Sequence, residues 1–144
     1  LGDVYKRQSQ TWGFHARRDS AIKIRSLAQA KSLPRIGTYY KDAKEQYLLA
    51  KGFLNLVSTK RNRNNIRHIM DGSIDMWVSS DFNMPYLAKQ AGISPDQLKL
   101  IFAFKKVQNY IAFSTQSPSS LVNLWQQTLD ELKQDGTYDR LRAR

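Results

Sequence analysis

The stretch that decides the fold is IRHIMDGSIDMWVSSD, residues 66–81. Its first part is helix-like and stops at Gly72, and helices commonly end at a glycine. The apolar run 74–78 comes next, and such a run is typical of a parallel strand that is covered on both faces. The strand then ends abruptly in Ser-Ser-Asp at 79–81, so three hydrogen-bonding side chains are predicted at its carboxyl end.

Strand and helix patterns alternate on both sides of this stretch. A strand is predicted at 35–40, and Asp42, followed by Glu45 three residues later, predicts a helix start with an Asx form of the capping box. A short apolar strand at 53–57 and a basic helix at 62–71 follow. The other predicted elements are strands at 11–17, 98–104 and 110–113, helices within 20–30, 82–91 and 138–141, and a long helix opened by Ser117 and Pro118 and ended by Gly136. This alternation predicts an α/β fold with a mostly parallel sheet.

The composition is that of one folded domain. The chain has 144 residues, of which 41% are hydrophobic and 24% are charged, and this is enough for a real core. No apolar stretch of the sequence approaches the roughly 20 residues that a membrane span needs. Because the sequence has no cysteine, disulfides, thiolate catalysis and cysteine-based metal sites are excluded.

The net charge of +11 first suggests a nucleic acid or an anionic surface as partner. The basic residues are spread along the chain, however, and only 59–68 is locally dense in them. Since Ile66, Ile69 and Met70 fit one face of a helix there, the basic residues are predicted to form its solvated face. The sequence also lacks an interleaved aromatic and basic stripe, which argues against nucleic-acid binding.

The first eight residues, LGDVYKRQ, resemble a translated sequencing adaptor. We therefore treat 1–8 as a non-native artefact and exclude it from fold reasoning. On this interpretation the natural chain continues upstream, and the sequence is expected to be a C-terminal fragment. The alternative is a frayed natural terminus.

Polar clusters are predicted at the carboxyl ends of two strands, where ligands bind in open α/β sheets. The candidate ligand-binding residues are Tyr40, Lys41, Asp42, Ser79, Ser80 and Asp81. Tyr39 and Tyr40 point to opposite faces if both are in the strand, and Tyr40 is chosen because it lies nearer the strand end. The alternative is that both clusters are ordinary loops, in which Ser80 or Asp81 caps the following helix.

Neither a catalytic site nor a metal site is predicted. His15 and His68 lie far apart in the sequence and lack the spacing of metal ligands, so each is assigned a structural or solvated role. Trp77, in mid-strand, is assigned to the core. The sequence contains no zinc-protease helix motif, nucleophile elbow or glycine-rich phosphate loop, and no cofactor is predicted.

Four stretches carry a resemblance to one protein family. They are HARRDSAIKIRSLAQA (15–30), RIGTYYKDAKEQYLLAKGF (35–53), IRHIMDGSIDMWVSSD (66–81) and NYIAFSTQSPSSLVNLWQQTLDELKQDGTYDRL (109–141). In this order they resemble the C-terminal part of bacterial family 3 solute-binding proteins, the amino-acid type that serves ABC importers. The Asp-Gly-Thr-Tyr sequence after the long helix is the most specific of these motifs.

The resemblance implies a periplasmic-binding-protein type II-like fold, present here as the second lobe, the crossing strands and the C-terminal helices. The first lobe would be largely missing. By resemblance, 9–21 is the crossing strand from lobe one, 22–106 is lobe two, and 107–144 is the returning strand with the helices that pack on lobe one.

The resemblance also implies a function. The protein would capture a small polar, amino-acid-like ligand outside the cytoplasm for an ABC importer, acting as a monomer in the periplasm after export by an upstream signal peptide. Its partners would be the ligand and the permease subunits in the membrane. The alternatives are an enzyme on the same fold, of dehydratase or peptidoglycan-cleaving type, and the ligand-sensing domain of a signalling protein.

The sequence departs from the family pattern at several positions, one of which is Ser73, where the family has an arginine. Lys41, Asp42 and Ala43 stand where many members have Gly-Thr-Thr, and Asp42 is expected to occupy the helix N-terminus that would otherwise attract an anion. Lys41 could then act on the ligand as a point charge. The family's acidic strand-end residue, which often meets a ligand amine, matches Asp81 within one position, with Ser80 as the rival.

Overall fold

A computed structural model describes residues 4–33 and 35–142, in which strands and helices alternate. The strands are β1 (Val4–Arg17), β2 (Ile36–Tyr39), β3 (Leu56–Thr59), β4 (Met76–Ser80) and β5 (Leu98–Ala112). The helices are α1 (Leu27–Lys31), α2 (Ala43–Ala50), α3 (Asn62–Met70), α4 (Asn83–Gln90), α5 (Ser119–Gln134) and α6 (Thr137–Arg142), and a 3-10 turn, Pro95–Gln97, precedes β5. None of the helices in these ranges is both long and apolar enough to cross a bilayer.

The strands form a mixed sheet in the order β3-β2-β4-β1-β5. β2 is parallel to β3 and to β4, whereas β1 is antiparallel to β4. The α/β fold predicted from the sequence is therefore confirmed. The sheet is less parallel than predicted, because β1 runs in the direction opposite to β2, β3 and β4.

Each face of the sheet has its own apolar cluster. Met76 and Val78 pack in one cluster with Leu48 of α2, while Trp77 packs in the other with Ile66 of α3. Since successive residues of a strand point to opposite faces, β4 supplies both clusters, which explains its near-continuous apolar sequence. Trp77 is fully buried, as the sequence predicts.

The described residues divide into two compact units, one of residues 10–107 and one of residues 4–9 with 108–142. The larger unit contains β2 to β4 and α1 to α4, and the smaller unit contains α5 and α6, while β1 and β5 contribute to both. Within the smaller unit the ring of Phe113 packs edge-on against Trp125, with ring centroids 6.2 Å apart.

β3 begins three residues later than predicted, at Leu56. Phe53, which the prediction places in the strand, is instead a buried loop residue with 1% of its surface exposed. The Asn55 side-chain amide donates to the carbonyl oxygens of Ala30 and Leu33 and so holds this loop against the end of α1. Phe53 is therefore apolar because its side chain is buried, and not because it lies in a strand.

β5 is one continuous strand where the sequence predicts two, at 98–104 and 110–113. Its residues 105–109 alternate between half-buried and exposed. Such alternation is the signature of a strand with one solvated face, and a search for apolar runs overlooks it.

Two helices begin later than predicted. α1 occupies only the end of 20–30, because Ser26 accepts a hydrogen bond from the Gln29 N–H at 3.2 Å and thereby sets the start of the helix. α5 begins at Ser119 with Pro118 as its N-cap, one residue beyond the predicted start.

Candidate functional site

The carboxyl ends of the three parallel strands lie at one edge of the sheet. Gly37 of β2 pairs with Trp77 of β4, and Tyr39 pairs with Thr59 of β3, so the loops that follow these strands leave from the same side. We call this region the carboxyl edge; it comprises 39–42, 59–61 and 79–81, together with Thr11 and Trp12 of the antiparallel neighbour β1. It also includes the side chains that contact these residues from neighbouring elements, namely Lys44, Glu45 and Lys105. All six residues predicted to bind a ligand belong to this edge.

The turn after β2 is held from inside by a buried carboxylate. Glu45, with 5% of its surface exposed, accepts a hydrogen bond from the Thr38 hydroxyl at 2.8 Å and another from the Lys41 N–H at 2.6 Å. Lys41 has φ = 57°, in the left-handed region that side chains with a Cβ rarely adopt. The Glu45 carboxylate therefore fixes both the position and the unusual conformation of the turn.

Asp42 caps α2, as predicted, but the predicted capping box does not form. Its carboxylate accepts from the Lys44 N–H at 2.7 Å and pairs with the Lys44 ammonium at 2.8 Å. Glu45, which should reach back to the Asp42 N–H in a capping box, bonds the Lys41 N–H instead. The N-terminus of α2 is thus occupied by a carboxylate of the chain itself.

The three polar residues at the end of β4 have different environments. Ser79 and Ser80 are buried, and the Ser80 hydroxyl accepts a hydrogen bond from the Asn83 N–H at 3.1 Å, which secures the first turn of α4. Asp81 is exposed, and its Oδ1 accepts from the Thr11 N–H at 2.9 Å while its own N–H donates to the Thr11 carbonyl at 3.0 Å. Asp81 is therefore the member of this group that faces solvent.

The position of α3 beneath the carboxyl edge depends on Asn65 and Gly37. Asn65 is fully buried, and its side-chain amide donates to the Thr38 carbonyl at 2.9 Å. A Cβ on Gly37 would come within 2.7 Å of the Asn65 Oδ1. The absence of a side chain at this position lets α3 approach β2 closely enough for the hydrogen bond to form.

Two lysines from different loops share the exposed ring of Tyr40. The Lys41 ammonium, after β2, lies 5.3 Å from the ring centroid, and the Lys60 ammonium, after β3, lies 5.6 Å from it. Tyr40 itself is 45% exposed. Tyr39 is nearly as exposed, at 39%, so exposure does not separate the two tyrosines as the sequence prediction does.

A second group of lysines and aromatic rings lies where Trp12 of β1 pairs with Ser80. The Lys105 ammonium lies 4.3 Å from the ring centroid of Tyr47 and 5.4 Å from that of Trp12, and the Lys44 ammonium lies 5.5 Å from that of Trp12. The Trp12 and Tyr47 rings meet edge-on, with centroids 6.2 Å apart. Positive charge is thus anchored on aromatic faces at both sides of the carboxyl edge.

His15 lies in β1, paired with Trp77, and is 1% exposed. Burial disfavours the charged imidazolium and lowers the pKa of His15 to about 4, although the nearby backbone of Gly13 and the charge of Asp81 act in the opposite direction. The side chain is therefore neutral near pH 7 and belongs to the packing beneath the edge. No group of three or more potential metal ligands was found within 4–33 and 35–142.

Sequence reasoning missed several residues of this edge: Trp12, Glu45 as the anchor of the turn, Lys60 and Lys105. Lys60 directly follows a strand, and this position is the signal that could have indicated it. Lys105 could not have been found in this way, because it lies within β5 and reaches the edge only through the strand order of the sheet.

No family model and no curated protein matches the sequence. Solved structures do match the fold. One is an ancestral cationic amino acid solute-binding protein, with TM-score 0.75, 22% identity and coverage of 98% of this chain. Others are the AvGluR1 ligand-binding domain in complex with glutamate (TM-score 0.73, 19% identity, 96% of this chain) and a histidine kinase sensor domain with similarity to periplasmic binding proteins (TM-score 0.70, 20% identity, 96% of this chain).

The fold is that of the periplasmic-binding-protein-like domains. The chain spans 60%, 57% and 59% of the lengths of these three solved chains, respectively. The part of the predicted fold that concerns architecture is therefore confirmed, and the chain corresponds to part of such a domain.

Proposed function

We propose that this chain is part of an extracytoplasmic solute-binding protein that captures a small polar, amino-acid-like ligand at the carboxyl edge and delivers it to an ABC importer. The observation that carries the proposal is the assembly of the parallel strand ends, with exposed Tyr40, Lys41 and Asp81, at one edge of the sheet. The names of the similar structures support it, since they include amino-acid-binding proteins and domains.

In this proposal three of the six predicted residues contact the ligand, and the other three have structural roles. Tyr40, Lys41 and Asp81 contact the ligand, with Asp81 accepting from a ligand amine. Asp42 caps α2, and the buried residues Ser79 and Ser80 shape the surface of the carboxyl edge beneath the ligand. A second lobe, formed mainly by residues upstream of this chain, closes over the edge and buries the ligand, which creates the surface that a permease recognises.

The same proposal places the protein in the periplasm as a monomer whose partners are the ligand and the permease subunits. It includes the lobe boundaries 22–106 for lobe two and 9–21 and 107–144 for the segments that connect to and pack on lobe one. It requires no cofactor, because binding is reversible capture without chemistry.

A ligand-sensing domain is the second candidate, since one of the similar structures is a histidine kinase sensor domain. The two functions differ in what the natural polypeptide contains outside this segment. A signal peptide without a kinase or other signalling domain supports transport, whereas a signalling domain on the same polypeptide supports sensing. No observation specifically favours the alternative of an enzyme on the same fold, so it stays a prediction.

The test is binding of the L-amino acids to the natural polypeptide that contains this segment, measured by isothermal titration calorimetry. At least one amino acid should bind, and Asp81→Asn should weaken its binding by about tenfold or more, because a charge-assisted hydrogen bond to the ligand amine is lost. Asparagine retains an acceptor for the Thr11 N–H, so the edge itself is preserved.

Asp96→Asn is the matched control for this experiment. The Asp96 carbonyl accepts a hydrogen bond from Arg18, and Arg18 follows the end of β1 that lies away from the carboxyl edge. Binding by this variant should equal that of the parent protein. An unchanged dissociation constant in Asp81→Asn would remove Asp81 from the site, and failure of all L-amino acids to bind would overturn the proposed function.

A further inference from the structure

The carboxylates of the carboxyl edge already have partners within the chain. Asp42 is held by the N–H and the ammonium of Lys44, and Asp81 accepts from the Thr11 N–H. Glu45 is buried beneath the turn with two donors. The carboxylates of the edge therefore stabilise its loops through hydrogen bonds and an ion pair within the chain.

The ammonium groups of the same edge are in the opposite situation. The ion pairs described among the side chains of residues 9–33 and 35–141 include Arg17–Asp19, Arg35–Asp75 and Lys44–Asp42. Lys41, Lys60 and Lys105 take part in none of these pairs, and their described contacts are with aromatic ring faces. A ring face attracts a cation but carries no net charge, so it orients the ammonium without neutralising it.

Lys41 and Lys60 are the best placed of these cations. They come from two different loops, and both lie within 6 Å of the centre of one exposed ring, that of Tyr40. Two like charges near one ring repel each other unless an anion lies between them or solvent screens them. The helices α3 and α4 also begin at this edge, and their dipoles add positive potential there.

The fold alone does not decide the charge of a ligand, since the similar structures include both a cationic amino acid binder and a glutamate complex. We propose that the ligand of this protein is an acidic amino acid or a similar small dicarboxylate, with one carboxylate beside Tyr40 between the ammonium groups of Lys41 and Lys60. This inference rests on the proposed function and specifies its substrate class. Two polar groups of an acidic amino acid remain, its second carboxylate and its amine, and the amine meets Asp81 in the same arrangement.

The experiment compares isosteric ligands that differ in charge, using the natural polypeptide and isothermal titration calorimetry at low ionic strength. L-glutamate or L-aspartate should bind about tenfold or more tightly than L-glutamine or L-asparagine, and more tightly than L-arginine. Lys41→Gln and Lys60→Gln should each weaken binding of the acidic ligand about fivefold or more, and should weaken binding of the neutral analogue much less, so that the preference for the acidic ligand falls. Inorganic phosphate serves as a test for any small anion.

Three controls make the result specific. Lys89→Gln, exposed in the last turn of α4, removes an equal charge away from the edge and should leave all affinities unchanged. Lys60→Arg keeps the charge and should restore most of the preference for the acidic ligand. Equal thermal unfolding of the parent and variants shows that a loss of binding is not a loss of folding.

Several outcomes would overturn the inference. Neutral or cationic amino acids that bind as tightly as the acidic ones would refute it while leaving the proposed function intact. Phosphate binding as tightly as glutamate would also refute it, because the edge would then be a general anion site. If no amino acid or dicarboxylate binds at all, both this inference and the proposed function fail.

Discussion

At the scale of single residues, the polar groups of the carboxyl edge differ in how much of each side chain the fold leaves exposed to solvent. The Ser80 hydroxyl holds the start of α4 and Glu45 holds the turn after β2, whereas Tyr40, Lys41 and Asp81 are exposed to solvent. This distinction follows from burial and hydrogen bonding, and residue type alone does not reveal it. It is the reason why only three of the six predicted residues are proposed to touch the ligand.

His15 makes the stability of the protein depend on pH. Its pKa is about 4 in the folded protein, because burial disfavours the imidazolium, against an ordinary value of 6.5. Between these two values the unfolded chain binds more protons than the folded one, so stability falls as the pH is lowered through this window and is regained above 6.5. The free energy of unfolding should fall by about 2 kcal/mol from pH 7 to pH 5 from this residue alone.

Urea denaturation at several values between pH 5 and pH 7 measures this effect. His15→Leu should flatten the dependence in that window, whatever its absolute stability, because leucine binds no proton. Asp81 is the charged neighbour that opposes the shift, so Asp81→Asn should steepen the dependence slightly. A slope in His15→Leu equal to that of the parent protein would show that His15 is not the group responsible.

What the sequence could predict at this scale was local. Asp42 as a helix cap depends on its own loop, and the prediction succeeds because Lys44 is only two residues away. The second loop contact of Tyr40 depends on Lys60, twenty residues further along the chain, and is set by the pairing of β2 with β3. A contact of this kind exists only once the strand order and register are known.

At the scale of elements, the turn between β2 and α2 is the part of the candidate site that is most constrained. Glu45→Ala would leave the Thr38 hydroxyl and the Lys41 N–H without their acceptor, and Thr38 is buried. We expect a loss of about 1–3 kcal/mol in the free energy of unfolding, measured by urea denaturation. Gln46→Ala, at the exposed neighbouring position of α2, is the control and should change stability by less than about 0.5 kcal/mol.

A second variant at this position, Glu45→Gln, distinguishes a positioning role from a purely structural one. If Glu45 fixes the conformation of Lys41, the amide resonances of Lys41 and Asp42 in NMR spectra should broaden or shift in Glu45→Gln, while those of β3 stay in place. Equal perturbation throughout residues 10–107 would mean that Glu45 acts on global stability and not on the turn.

The sequence predicts an element correctly where its residue pattern can arise in only one way. The strand β4 has a near-continuous apolar sequence because both of its faces are buried, and its prediction is nearly correct. The segment around Phe53 has the same apolar pattern because a loop side chain fills the core, and there the predicted strand is displaced. Local composition does not distinguish these two causes, since both remove apolar surface from water.

At the scale of the whole molecule, α5 has an apolar face that the described residues leave open to solvent. Leu121, Leu124 and Trp125 are 42%, 59% and 53% exposed, while Val122 on the same helix is 3% exposed. Large exposed apolar patches commonly mark surfaces that contact another element or partner. In the proposed function this face packs on lobe one, formed mainly by residues upstream of this chain.

The tryptophans provide a direct test of that packing, because they differ strongly in exposure. Trp12 and Trp77 are 8% and 0% exposed, so Trp125 should account for nearly all of the tryptophan fluorescence that acrylamide quenches in the 144-residue chain. In the natural polypeptide, lobe one should cover Trp125, so Trp125→Phe there should leave the quenchable fluorescence nearly unchanged. Trp125→Phe in the 144-residue chain is the control and should abolish most of the quenching.

If Trp125 were quenched equally in the short chain and in the natural polypeptide, no lobe would pack on α5, and the assignment of 107–144 to helices that cover lobe one would be wrong.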